Sequence, residues 1–404
     1  MRIKSTFWRA ASFAAAAFLL GLSGTASAAT YILSTLTGGD LDFASYRATG
    51  INELGQISGF GRGANGETQA VYWNSGQTGA QAVQVFRGST SVTAGINESG
   101  RIVGTQTSID GIQSAFTYDI ATGSLNAFGL GRSIGNSIND SGFVVGSRAL
   151  GSSTNPFLYN PNTDETTIYG LPANAQSAEF NAITNDGHII GSRTPFDPPF
   201  PDPAFDPQHS VFVFENQSGS VPSDAFPRFR RTDFVAANNA GQYAVNFTFP
   251  GSPFFANSVG LGNLDGTPNS ARLGTLPGDQ ANYGGGFNDQ LDFVGESYNE
   301  NRYGGSYGDA IITTPAGGTV KLSTLVSNLG GNFLQQGQLI NNRGQIVAFG
   351  LNENGRRVNF LLTPENFIAP GVPEPASWAL MIAGFGMVGG VLRRKSQQLA
   401  HTQA

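Results

Sequence analysis

The stretch Ile51-Asn52-Glu53-Leu54-Gly55-Gln56-Ile57-Ser58-Gly59 reads as a tight antiparallel hairpin. An Asn opens a four-residue turn, where its side chain can bond its own backbone two residues on, and a Gly closes the turn with a positive φ that costs it nothing. Two residues past that Gly an apolar side chain begins the inward row of a second strand. The unit returns at Ile96-Asn97-Glu98-Ser99-Gly100-Arg101-Ile102-Val103-Gly104 and at Ile138-Asn139-Asp140-Ser141-Gly142-Phe143-Val144-Val145-Gly146. Looser copies begin at Ile183, Ala237, Phe287 and Ile340, and carry Gly187, Asn238 with Gly241, Asn288, and Asn341 with Gly344. The turn-closing position falls at 55, 100, 142, 187, 241, 291 and 344, with Leu291 standing in for Gly, so the spacings are 45, 42, 45, 54, 50 and 53.

Working outward, most hairpins are followed by a third apolar run, such as Gln69 to Trp73, Ser114 to Tyr118 or Asn155 to Tyr159. A short fourth run ending in Leu often comes next, as in Thr167 to Pro172, Arg272 to Pro277 or Lys321 to Leu325. Four short strands per unit of roughly 40 to 55 residues is the arithmetic of a β-propeller blade. The last unit stops after its third strand near Thr363-Pro364, while Tyr31-Ile32-Leu33-Ser34-Thr35-Leu36 stands unassigned at the other end. Pairing the two would close a ring and remove its exposed edges. The expected fold is therefore all-β, a seven-bladed propeller-like repeat domain over 29–371 closed by an N-terminal strand. An open β-solenoid is the alternative, which that strand exchange disfavours.

Composition removes other classes. With 404 residues, 55 Gly, no Cys and 12% charged side chains, the chain is neither a coiled coil, a disulfide scaffold nor a thiolate metal protein. Lys occurs only at Lys4, Lys321 and Lys395 and the net charge is −6, so no nucleic-acid partner is expected.

The two ends read as addresses. Arg2, Lys4 and Arg9 precede an apolar run from Ala10 to Leu22, and Ala26-Ser27-Ala28 offers a small-residue cleavage site, so 1–28 is read as a signal peptide cut after Ala28, with Ala26 and Ala28 as the signal peptidase site. A buried N-terminal helix is the other reading. Ala376 to Leu392 is a 17-residue apolar run. As a helix it would be about 25 Å long, slightly short of a hydrocarbon core of about 30 Å, with Trp378 and the basic residues as interfacial anchors. Val372-Pro373-Glu374-Pro375 stands before it and Arg393-Arg394-Lys395 directly after, leaving 396–404 as a cytoplasmic tail. Pro-Glu-Pro, a thin Gly-rich transmembrane segment and an Arg-Arg-Lys stop, over 372–395, together resemble the PEP-CTERM sorting signal of Gram-negative bacteria. That resemblance implies a transient inner-membrane anchor, cutting by exosortase near Pro373-Glu374-Pro375, and release to the surface or outside. A permanent tail anchor is the alternative. Removing three basic residues with the leader, and three basic and one acidic with the tail, from totals of 22 and 28 leaves 16 basic against 27 acidic residues.

The hairpin and its following strand also resemble the HAF repeats of extracellular bacterial proteins, although the histidine of that name is missing except near His209. That resemblance implies an exported repeat protein and no established activity.

Candidate chemistry is sparse. The histidines are His188, His209 and His401, and His188 is expected as an outward strand residue. No nucleophile elbow, zincin helix or P-loop occurs. The Asn-Glu and Asn-Asp turns could hold Ca²⁺, but they lack the spacing of a cation loop, so structural hairpin turns are preferred and no cofactor is expected. Glu53, Glu98, Asp140 and Asp186 are read as one acid per unit, a recurrence that argues for structure over catalysis. The Pro-rich excursion from Thr194 to Gln208, with Phe196, Phe200 and Phe205, is read either as an insertion between strands or as an adhesive loop. The expectation is a non-enzymatic binding or structural module with extracellular polysaccharide as partner. The alternative is a polysaccharide hydrolase or lyase, with paired carboxylates in a propeller cavity.

Overall fold

The structure, a computed structural model, describes residues 30–367 apart from 87, 129–130, 173–174, 196–209, 215–230, 249–256, 266, 268–272 and 300–307. The signal-peptide reading, the sorting signal with its apolar run, His209, His401 and the Phe-bearing part of the Pro-rich excursion lie outside these residues. Among the described residues, no helix is long and apolar enough to cross a membrane.

Seven antiparallel sheets form the blades of a propeller. Blade 1 is Ser45–Ile51, Ile57–Arg62, Thr68–Trp73 and Gln81–Ala82; blade 2 is Thr90–Ile96, Arg101–Thr107, Gln113–Asp119 and Leu125–Phe128. Blade 3 is Ser133–Ile138, Val144–Leu150, Ser153–Asn160 and Glu165–Ile168. Blades 4 and 5 have three described strands each, Ala175–Ile183, Ile189–Pro195 and Ser210–Phe214, then Arg231–Ala237, Gln242–Thr248 and Asn257–Asn263. Blade 6 is Ala281–Phe287, Phe293–Tyr298, Asp309–Thr314 and Gly318–Lys321, and blade 7 is Phe333–Ile340, Ile346–Leu351 and Arg357–Pro364.

The fourth strand of blade 7 is the N-terminal Tyr31–Leu36, antiparallel to Arg357–Pro364 in the register Tyr31↔Pro364 to Leu36↔Asn359. Its free edge is covered as well. Asn328 accepts from Leu33 N at 2.7 Å and donates to Leu33 O at 3.0 Å, so the ring presents no bare strand there.

Two fourth strands depart from the sequence reading. Leu322–Leu325 is a 3₁₀ turn following the strand Gly318–Lys321. Among the described residues, the run from Leu273 holds to blade 5 by one backbone bond, Leu273 N to Val259 O at 3.2 Å, and 273–276 do not form a strand. Gly274 and Pro277 in that run suit a ladder poorly.

Packing explains why the second strand of each blade is apolar on both faces. In blade 2, Ile102 belongs to the cluster shared with blade 1 and Val103 to the cluster shared with blade 3. Seven buried clusters fill the seven seams between neighbouring blades. Trp73, Phe116, Phe157, Phe212 and Phe360 are fully buried within them. Each such side chain contributes about 1.5–3 kcal/mol, which substitutes for the absent disulfides. The final Gly of the repeat unit has a packing reason. A Cβ at Gly146 would stand 1.9 Å from Ile134 O and 2.9 Å from the Phe157 ring, and one at Gly104 would meet Val92 O and Phe116 in the same way.

Candidate functional site

The innermost strands surround a central channel, and the repeated turns gather at one of its ends. The turns of blades 1 to 4 and 7 close by a Gly N–H bonding back to the carbonyl of the Asn position, as Gly55 N does to Asn52 O at 3.0 Å, and Leu291 N does the same in blade 6. The closing residue has φ of +76° at Gly55, +77° at Gly100, +81° at Gly142, +92° at Gly187, +89° at Gly241 and +76° at Gly344. Leu291 is forced into the same region at +63°, a strained conformation for a branched side chain. The side chain at the Asn position bonds the backbone N–H four residues on in every unit, through a carboxamide in six of them and a hydroxyl in blade 4. Its acceptor oxygen takes Gln56 N, Arg101 N, Phe143 N, Gln242 N, Asp292 N and Gln345 N, and Thr184 Oγ1 takes His188 N in blade 4. The bond two residues on, expected from the sequence, accompanies it at Gln290 and Arg343.

The other end of each carboxamide crosses to the next blade. Asn52 Nδ2 donates to Asn97 O at 3.0 Å, Asn97 to Asn139 O at 3.0 Å and Asn139 to Thr184 O at 3.2 Å. Asn238 donates to Asn288 O, Asn288 to Asn341 O, and Asn341 back to Asn52 O at 3.0 Å. One link of seven is missing, between blades 4 and 5, because Thr184 has no amide; its hydroxyl turns to Asp186 and His188 O instead.

A second collar lies outside the first. The side chain one residue past each Asn position accepts the equivalent backbone N–H of the preceding blade, at 2.8–3.1 Å. Glu98 accepts from Glu53 N, Asp140 from Glu98 N, Asn185 from Asp140 N and Asn239 from Asn185 N. Asp289 accepts from Asn239 N, Asn342 from Asp289 N and Glu53 from Asn342 N, closing all seven links. The blade 4 member is Asn185, so the grouping of Asp186 with Glu53, Glu98 and Asp140 is corrected. Asp186 stands one position further on and pairs with His188 Nδ1 at 2.8 Å. His188 itself precedes the strand Ile189–Pro195 and belongs to the turn, not to an outward strand row.

The collar gathers four carboxylates around a cavity of about 240 Å³. Burial pushes the Glu98 carboxyl up to about 7, against the pull of the Glu53 N–H, with Glu53 and Asp140 adding repulsion and Arg343 opposing it. Burial also raises the Glu53 carboxyl, which the Asn342 N–H and Arg343 hold back. Among the described residues, no group of three or more metal-ligating side chains forms a metal centre.

The other end of the channel is built differently. From Arg47 to Ile51 the innermost strand of blade 1 climbs about 13 Å toward the turns. At the far mouth a cavity of about 390 Å³ is lined by Arg47, Phe60, Phe234, Tyr283, Gln336 and Gln338, among others. Between the two ends every innermost strand carries a β-bulge two residues before its repeat aliphatic. The skipped residues are Thr49, Ala94, Asn136, Asn181, Val235, Gly285 and Gln338. The sequence reading missed this level, since the bulge recurs while the residue in it varies. The only available signal was its constant offset from the aliphatic position.

Residues 371–395 match the PEP-CTERM protein-sorting motif. That motif implies an exported protein, sorted to the cell envelope or surface and processed by an exosortase. No curated protein matches the chain. The β-propeller domain of the Trilobed protease from Pyrococcus furiosus, described as having an open velcro topology, superposes with a TM-score of 0.53 at 12% identity, over 86% of this chain and 100% of that one. Oligogalacturonate lyase from Vibrio parahaemolyticus gives 0.52 at 10% identity, over 84% and 98%. Pyrococcus horikoshii acylaminoacyl peptidase gives 0.52 at 10% identity over 79% of this chain, which spans 51% of the peptidase. At these identities the likeness is one of fold.

Proposed function

We propose that the protein is a non-enzymatic, surface-displayed or released β-propeller that binds polysaccharide in the extracellular matrix. In this reading signal peptidase removes 1–28, the segment Ala376 to Leu392 anchors the chain transiently, and exosortase frees it near Pro373-Glu374-Pro375. The repeat units then serve as HAF-type scaffold. The observation that supports it best is the outer collar. Its carboxylates Glu53, Glu98, Asp140 and Asp289 each accept a backbone N–H from the neighbouring blade, which is a structural task.

The rival is a polysaccharide hydrolase or lyase. A carboxyl raised to about 7, as Glu98 is, falls in the range useful to a general acid. The test is a glycan array probed with the full chain in mild detergent, with reducing-sugar release measured on every polymer that binds. Binding without release is the expected result. Release that persists on repurification and disappears in Glu98→Gln would replace the binding module by an enzyme.

A further inference from the structure

Gln338 and Asn181 occupy the bulge position of blades 7 and 4, and each keeps a buried side-chain oxygen with no hydrogen-bond partner. A buried acceptor without a donor is costly to a fold, and of these two residues Gln338 lines the cavity at the far mouth, where its oxygen is placed to accept from a ligand. The surrounding cavity adds two further features. Phe60, Phe234 and Tyr283 supply aromatic surface, with Tyr283 40% exposed. Arg47 is the one charged residue lining that cavity, and it makes no ion pair or side-chain hydrogen bond among the described residues. The volume of about 390 Å³ lies within the roughly 300–1,000 Å³ of small-molecule sites.

We propose that this mouth of the channel binds an acidic sugar, a uronate residue of a polysaccharide. A sugar hydroxyl donates to Gln338 Oε1, an apolar ring face lies against the aromatic wall, and the carboxylate meets the Arg47 guanidinium, whose planar fork fits it. The excess of acidic residues over the whole chain does not forbid this. At 0.15 M salt charges more than about 8 Å apart are largely screened; the acidic collar lies farther away than that, at the opposite end of the channel, and Glu179 and Asp233, which hold the register position of Arg47 in blades 4 and 5, do not line the cavity. The β-bulge is the device that makes the level variable: it frees one residue per blade from the ladder, so chemistry can change there without disturbing the sheet.

This inference rests on the binding-module reading and is tested so that the two fail separately. Binding of oligogalacturonate, oligoglucuronate and their neutral counterparts, oligogalactose and oligoglucose, is measured with the full chain in 0.15 M salt, alongside Arg47→Gln, Tyr283→Ala and the collar variant Glu98→Gln. The expected result is preference for the uronates by tenfold or more, lost in Arg47→Gln, weakened at least tenfold in Tyr283→Ala and unchanged in Glu98→Gln. Circular dichroism shows that each variant is folded. Equal binding of neutral oligomers, or uronate binding that survives both mouth variants, overturns the site while leaving the binding module standing. Absence of binding to any glycan overturns both.

Discussion

The two ends of the channel are made from the same seven strands, yet they obey opposite rules. At the turn end, position after position is repeated, and nearly every polar group is consumed by the neighbouring blade. Asn97 alone accepts from Arg101 N and donates to Asn139 O while 4% exposed. At the far mouth no one residue type is kept around the ring, Arg47 has no partner among the described residues, and the buried Gln338 oxygen goes unsatisfied. Repetition marks where the blades must hold each other, and its absence marks where something else can be held. An acidic residue recurring in a repeat protein is thus poor evidence for catalysis until its hydrogen bonds have been traced.

The comparison can be broken at its strong end first. Asn97→Ala orphans two buried partners and should lower unfolding free energy by about 2–4 kcal/mol, read as a shift of the urea midpoint. A loss below about 0.5 kcal/mol would show that the inner collar is decorative. Next in size, Gly146→Ala drives a methyl into Ile134 O and the Phe157 ring, with an expected loss of about 1–3 kcal/mol by the same assay.

Thr184→Asn sharpens the comparison in the other direction. It restores the missing seventh donor toward Asn238 O, and its own oxygen can replace Thr184 Oγ1 as acceptor for His188 N. A gain of about 0.5–1.5 kcal/mol is expected, and no gain would mean that blades 4 and 5 approach too loosely to use it.

The smallest effect is one of pH. The folded Glu98 carboxyl is raised from 4.5 to about 7, so the folded state binds its proton more tightly than the unfolded chain does. Stability should therefore fall as pH rises from about 4.5 to about 7, and Glu98→Gln should flatten that part of the melting profile. Because Glu98 sits at an exposed rim, the difference is on the order of 0.5 kcal/mol.

Much of the fold was legible because its determinants are local. A turn that needs Asn at one end and a positive φ at the other writes itself into residue types, and seven copies fix the blade count. The closing strand Tyr31–Leu36 was legible by subtraction, as a strand without a blade facing a last blade whose sequence stops after its third strand. The collars were hidden because they join residues 42 to 54 positions apart, and 289 apart where the rings close, through bonds whose partners have no local signature. Asp186 misled for the same reason: an acid near the right place looked like the repeat acid, while Asn185 supplies the oxygen that the geometry uses. The far mouth was least legible, since Thr49, Val235, Gly285 and Gln338 share a backbone irregularity and no side-chain chemistry.

The most direct test of this division is Gln338→Ala, measured for both melting temperature and oligogalacturonate affinity. Removing a buried acceptor that the fold leaves unsatisfied should hold or raise the melting temperature while uronate binding falls at least tenfold. A lowered melting temperature with binding intact would contradict the account, and would make the bulge level part of the scaffold.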